Sequence, residues 1–143
     1  MSFSNDEKLE IAKTFCQAAI VNGFRFAQEK GIQKDYAASL GVSTAQIVKR
    51  IFGNDKEYAI RYLLMIGSSL DVPHPKETKK KRFEAECDPE RCGFCRTAKI
   101  NGVTDFCPEY CESFMKAYCN EFDVSIKFEP PRNEKKGKIE YRI

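Results

Sequence analysis

Six of the chain's seven cysteines, Cys87, Cys92, Cys95, Cys107, Cys111 and Cys119, fall within 33 residues, spaced Cys-x4-Cys-x2-Cys-x11-Cys-x3-Cys-x7-Cys. Thiols at this density dictate the local fold, either as disulfides in an oxidising compartment or as reduced ligands of a metal. The start, Met1-Ser2-Phe3-Ser4-Asn5-Asp6, has no basic stretch leading into an apolar one, and the longest apolar run, Tyr62 to Ile66, is far too short to span a membrane. The expectation is therefore a cytoplasmic chain with reduced thiols and no membrane partner.

Cys92-Gly93-Phe94-Cys95 has the form of a metal knuckle, in which a two-residue gap and a glycine let both thiolates grip one ion. Cys107-Pro108-Glu109-Tyr110-Cys111 reads as a helix start, with proline in the first turn and both cysteines on one face. Cys92, Cys95, Cys107 and Cys111 are thus the expected ligands of an all-thiolate zinc site. Cys87 and Cys119 are spare, substitute for one of the four, or mark a different metal, and an iron–sulfur cluster is the alternative cofactor. Cys119 also fits a buried place on the apolar helix surface of Phe114, Met115, Tyr118 and Phe122. A thiol–disulfide redox motif would need a βαβ context that is missing here. His74, the sole histidine, is not read as a ligand, and no residue is assigned catalysis.

Past Asn120 the pattern changes to period two, with Val124, Ile126 and Phe128 alternating with polar residues and Ile139, Tyr141 and Ile143 following a turn region. A β-hairpin is expected there. Residues 85–143 are rich in phenylalanine but poor in aliphatic side chains, so a domain of this size needs a staple such as a metal.

The first half reads as helical. Ser4 and Glu7 form a capping box before Leu9, Ala12, Cys16, Ala19, Ile20, Gly23 and Ala27, with a break expected at Asn22-Gly23 and a stop at Gly31. Cys16 falls on this apolar stripe as a small core residue. Gln33 to Leu40 predicts a short helix, Gly41 a tight turn with positive φ, and Ser43 to Gln46 the cap of another helix ending at Gly53. In that helix Ile47 and Ile51 point inward, and Thr44, Ala45, Gln46, Lys49 and Arg50 outward. Asn54-Asp55 then caps a helix with Ala59, Leu63, Ile66 and Leu70 on one stripe, stopped at Asp71-Val72-Pro73.

Gln33 to Ser43, with Ile47, Gly53, Leu63 and the run Ile66-Gly67-Ser68-Ser69-Leu70-Asp71-Val72, resembles the Cro/lambda-repressor-type (xenobiotic-response-element) helix-turn-helix family. The resemblance departs from the family pattern at Ile32, which stands where a Ser or Thr cap is usual, and at Val48 and Ile51. It implies that the helix from Ser43 enters the major groove of double-stranded DNA. Gln46 would then read adenine, and Thr44 and Ala45 a thymine methyl. Lys49 and Arg50 would meet phosphate, and Gln33 the backbone. Charge is consistent with this division: the net +3 is distributed as +1 over residues 1–72, +3 over 73–84 and −1 over 85–143.

The resulting expectation is a mainly α helix-turn-helix bundle over 1–72, a basic linker over 73–84, and over 85–143 a small α+β cysteine-rich metal-binding domain with a C-terminal hairpin. Its function would be sequence-specific transcriptional regulation as a homodimer, the metal domain serving structure, dimerisation or sensing. The alternative is a cysteine–metal redox protein or enzyme whose N-terminal helices are only a scaffold.

Overall fold

A computed structural model describes every residue except Met1, Pro73 and Glu134. The helix stop read at Pro73 therefore lies outside the described residues. The chain is mainly helical with one small antiparallel sheet. Helix α1 spans Asn5–Glu29, α2 Gln33–Phe52 and α3 Lys56–Ser69. Strands β1, Lys76–Lys79, and β2, Arg82–Cys87, precede α4, Gly93–Ile100. A π-helical turn, Cys107–Cys111, runs directly into α5, Glu112–Asn120, before β3, Ser125–Glu129, and β4, Gly137–Arg142.

Local chemistry accounts for the helix ends. The Ser4 hydroxyl accepts from the Glu7 backbone N–H, and the Glu7 carboxylate accepts from the Ser4 N–H. Asp55 accepts from the N–H groups of Glu57 and Tyr58 to start α3. Gly31 and Gly53 leave α1 and α2 with φ of +70° and +74°.

The turn expected at Gly41 is absent, because α2 continues unbroken from Gln33 to Phe52. Gly41 is not among the residues of positive φ. A Cβ there would lie 2.4 Å from the Phe114 carbonyl oxygen and 3.1 Å from the Tyr118 nitrogen, so this glycine serves the close crossing of α2 and α5. The helix-turn-helix geometry is corrected accordingly. Gly23 is likewise interior to α1, where a Cβ would meet the Tyr36 hydroxyl at 2.2 Å. The facing of α2 is reversed too: Ala45 and Val48 are fully buried, whereas Ile47 and Ile51 are exposed.

Residues 76–79 and 82–87 are strands, so most of the stretch read as a linker over 73–84 belongs to the sheet, whose order is β1-β2-β4-β3, all antiparallel. Phe83 and Ile126 both pair with Tyr141, while Ala85 and Phe128 both pair with Ile139, which places one apolar face against α5. The opposite face carries Glu84, Glu86, Lys127, Lys138 and Glu140 in a run of ion pairs. Helix α5 lies between the sheet and the α2–α3 layer, and the buried Tyr118 hydroxyl donates to the Ala59 carbonyl at 2.8 Å. A second core joins Val21, Phe24 and Ala37 to Cys92, Phe94, Ala98, Val103, Phe106 and Tyr110. Both cores mix residues from the two halves of the chain.

Candidate metal centre

Three elements, β2, α4 and the π-helical turn, carry five cysteines toward one place. Cys87 ends β2, paired with Gly137 and buried beside Ala85. Cys92 follows a loop closed by its own N–H to the Asp88 carbonyl and caps α4, whose first turn holds Cys95. Gly93 permits this docking, since its N–H donates to the Asp71 carbonyl and a Cβ would lie 2.2 Å from Gln17 Nε2. Gln17 in turn donates to the Leu70 carbonyl at 2.9 Å, tying α1, α3 and α4 together. Cys107 and Cys111 are the first and last residues of the π-helical turn, with Pro108 where a missing N–H is harmless. Such turns recur at functional sites, because they realign side chains within a continuous helix.

The thiols shift one another's ionisation. Hydrogen bonds from Cys111, Cys87 and Cys95 hold Cys107 well below the ordinary thiol range. A hydrogen bond from Cys95 lowers Cys92, helped by the backbone N–H groups of Cys95 and Phe94 at the start of α4. The donors retain their protons: Cys87, Cys95 and Cys111 are all pushed up, first by the bonds to Cys107 and then by burial. Among the described residues no three His, Cys, Asp or Glu side chains already form a metal-holding group. Closing on an ion would require the remaining thiols to lose their protons and turn inward.

These five cysteines and Cys16 line a cavity of about 220 Å³. The rest of its wall is largely apolar, including Ile20, Ile66, Phe94, Tyr110 and Phe114, and it contains no lysine or arginine. Cys119 stands apart, pushed up to about 12 by burial alone, and is a core residue. Cys16, read as core, instead borders the cavity, half-buried. The apolar surface read at Phe114, Tyr118 and Phe122 extends further than the sequence reading took it: Phe106, Tyr110, Phe114, Tyr118 and Phe122 recur every fourth residue and follow one another in a row with centroids 4.7 to 6.3 Å apart. Its signal was the i, i+4 spacing of aromatic residues through the cysteine pair.

The residues expected to meet DNA all lie on α2, some engaged within the fold and some exposed. Ala45 is buried, and the Thr44 hydroxyl donates to the Leu40 carbonyl at 2.7 Å on the cavity wall. Gln33 donates to Glu109 at 3.0 Å, and its own Oε1 is buried without a partner. Lys49 pairs with Glu121 at 3.0 Å and lies over the Phe122 ring. Ser43, Gln46 and Arg50 are exposed. Comparison of the chain with known families, curated proteins and solved structures finds no match. No helix among the described residues is long and apolar enough to cross a membrane.

Proposed function

We propose that the chain is a cysteine–metal protein, with Cys92, Cys95, Cys107 and Cys111 as the ligands and Cys87 beside them. The observation that carries this reading is five neighbouring thiols on one apolar cavity, two of them held toward thiolate. A buried thiolate is costly without a compensating cation, and the cavity wall offers no cationic side chain. A bound metal would supply that charge while displacing the remaining thiol protons.

Zinc held by four thiolates is the first form of this reading. An iron–sulfur cluster, which also takes four cysteines, is the second, favoured by the cavity's volume, because a tetrahedral zinc site closes on a single ion. The cluster form would give the chain a redox function with the N-terminal helices as its scaffold. DNA recognition by α2 is not part of the proposal, since Gln33, Thr44, Ala45 and Lys49 are engaged within the fold.

Elemental analysis and absorption spectra of protein purified anaerobically under reducing conditions test the proposal. About one equivalent or more of a transition metal is expected, colourless for zinc and coloured for a cluster. Replacing Cys92 and Cys95 together by Ser should lower the metal content. Less than about half an equivalent in the wild type would leave the cluster as buried thiols. A gel shift with genomic fragments should show no specific retardation.

A further inference from the structure

The five clustered thiols make up only part of the wall of the 220 Å³ cavity. Much of the remainder comes from three helices: Cys16 and Ile20 of α1, Thr44 and Ile47 of α2, and Tyr62 and Ile66 of α3. Ile47 is 52% exposed, and Cys16, Tyr62 and Ile66 are half-buried, so the cavity reaches the surface between these helices. Its polar groups are largely engaged elsewhere. The Thr44 hydroxyl donates to the Leu40 carbonyl, and Asp88, the one carboxylate among the described residues of the wall, pairs with Lys136 at 3.6 Å.

We propose that this cavity is a binding site for a small neutral aromatic molecule, which enters between α1, α2 and α3 and lies beside the thiols. Size sets the first limit. An apolar cavity of about 150 Å³ takes up benzene, so 220 Å³ has room for a single substituted ring and not for a larger ligand. Charge sets the second. The wall has no lysine or arginine to meet an anion, and its carboxylate is already paired, so a charged ligand would lose hydration without a partner.

The composition of the wall chooses between aromatic and aliphatic. Seven of its side chains carry sulfur, six cysteines and Met115, and Phe94, Tyr110 and Phe114 stand among them. Sulfur–ring and ring–ring contacts favour an aromatic ligand over an alkane of the same size. The inference goes beyond the metal reading and is compatible with its zinc form, in which one ion draws in the thiols and the side built by the three helices remains for the ligand. An iron–sulfur cluster would take up that space.

Calorimetric titration of the full-length, reduced protein with toluene tests it, with metal content measured on the same sample. One site with a dissociation constant below about 1 mM is expected. Benzoate, which adds a charge, and methylcyclohexane, which removes the aromatic ring, should each bind at least about tenfold more weakly. Ile66→Phe adds bulk to the wall and Ile47→Asp puts a charge at the mouth, and each should weaken toluene at least about tenfold. The second variant changes an exposed side chain, so its helical circular dichroism should match the wild type. No saturable binding of toluene, benzoate or methylcyclohexane binding as tightly, or binding indifferent to both substitutions would overturn the inference. A coloured cluster in the cavity would overturn it too and leave the metal reading standing, whereas toluene binding by protein that holds no metal would sink the metal reading alone.

Discussion

Cys107 accepts hydrogen bonds from Cys111, Cys87 and Cys95, so it is the sulfur whose charge the site stabilises most directly. Lowered protonation means that it ionises at a pH below the ordinary thiol value of about 8.5. In metal-free, reduced protein, thiolate absorbance should therefore rise well below that pH, and Cys107→Ser should remove the earliest step. A titration with every thiol at or above the ordinary range would contradict this hydrogen bonding. Metal affinity should fall as pH falls, because Cys87, Cys95 and Cys111 are pushed up and must release protons to ligate. Gly41 is decisive in another way. An exposed helix gains about 1 kcal/mol when Gly becomes Ala, but a Cβ here meets the α5 backbone. Gly41→Ala should instead destabilise by about 1 to 3 kcal/mol in urea unfolding.

At the scale of elements, α2 separates two pictures of the first half. Leu-Gly-Val-Ser has the residues of a turn, and isolated from its surroundings it supports a break as readily as a helix. Packing against α5 decides, because Ala37, Gly41, Ala45 and Val48 form a line of small, buried residues at helical spacing on which α5 rests. Hydrogen exchange should show protected amides continuing through Gly41, Val42 and Ser43 to the last turn of α2. Rapid exchange at these three, with protection on either side, would restore the turn. The ends of α3 obey local chemistry more simply: Asp55→Ala removes a cap bonded to two N–H groups and should cost about 1 kcal/mol.

For the molecule as a whole, the two cores run across the boundary drawn at residue 72. Ala45, Val48, Ile60 and Leu63 are buried together with Tyr118, Ile139 and Tyr141, and Val21 and Phe24 with Phe94 and Phe106. Residues 1–72 therefore lack most of each core when alone. Thermal unfolding of the intact chain should be a single transition followed alike by helical signal and aromatic absorbance. A 1–72 fragment should show no cooperative transition. Two separated transitions in the intact chain would mean that the halves fold independently.

Local interactions were legible in the residues themselves: the Ser4 capping box, the Asp55 cap, the glycine stops at Gly31 and Gly53, the period-two strands and the cysteine pairs, each set by neighbours within a few positions. The thiols' proximity was legible as well, because short gaps confine Cys92 to Cys95 and Cys107 to Cys111. Which further cysteine joins them was not. Cys87 and Cys119 both stand outside the short-gap pairs, and only the end of β2 brings Cys87 to Cys107 while α5 turns Cys119 into the core. The same holds for Gly41, Ala45 and Ile47, whose roles depend on which face of α2 another helix covers. Periodicity fixes the spacing of side chains around a helix but carries no information about the partner, and that partner, α5, lies about seventy residues further along the chain.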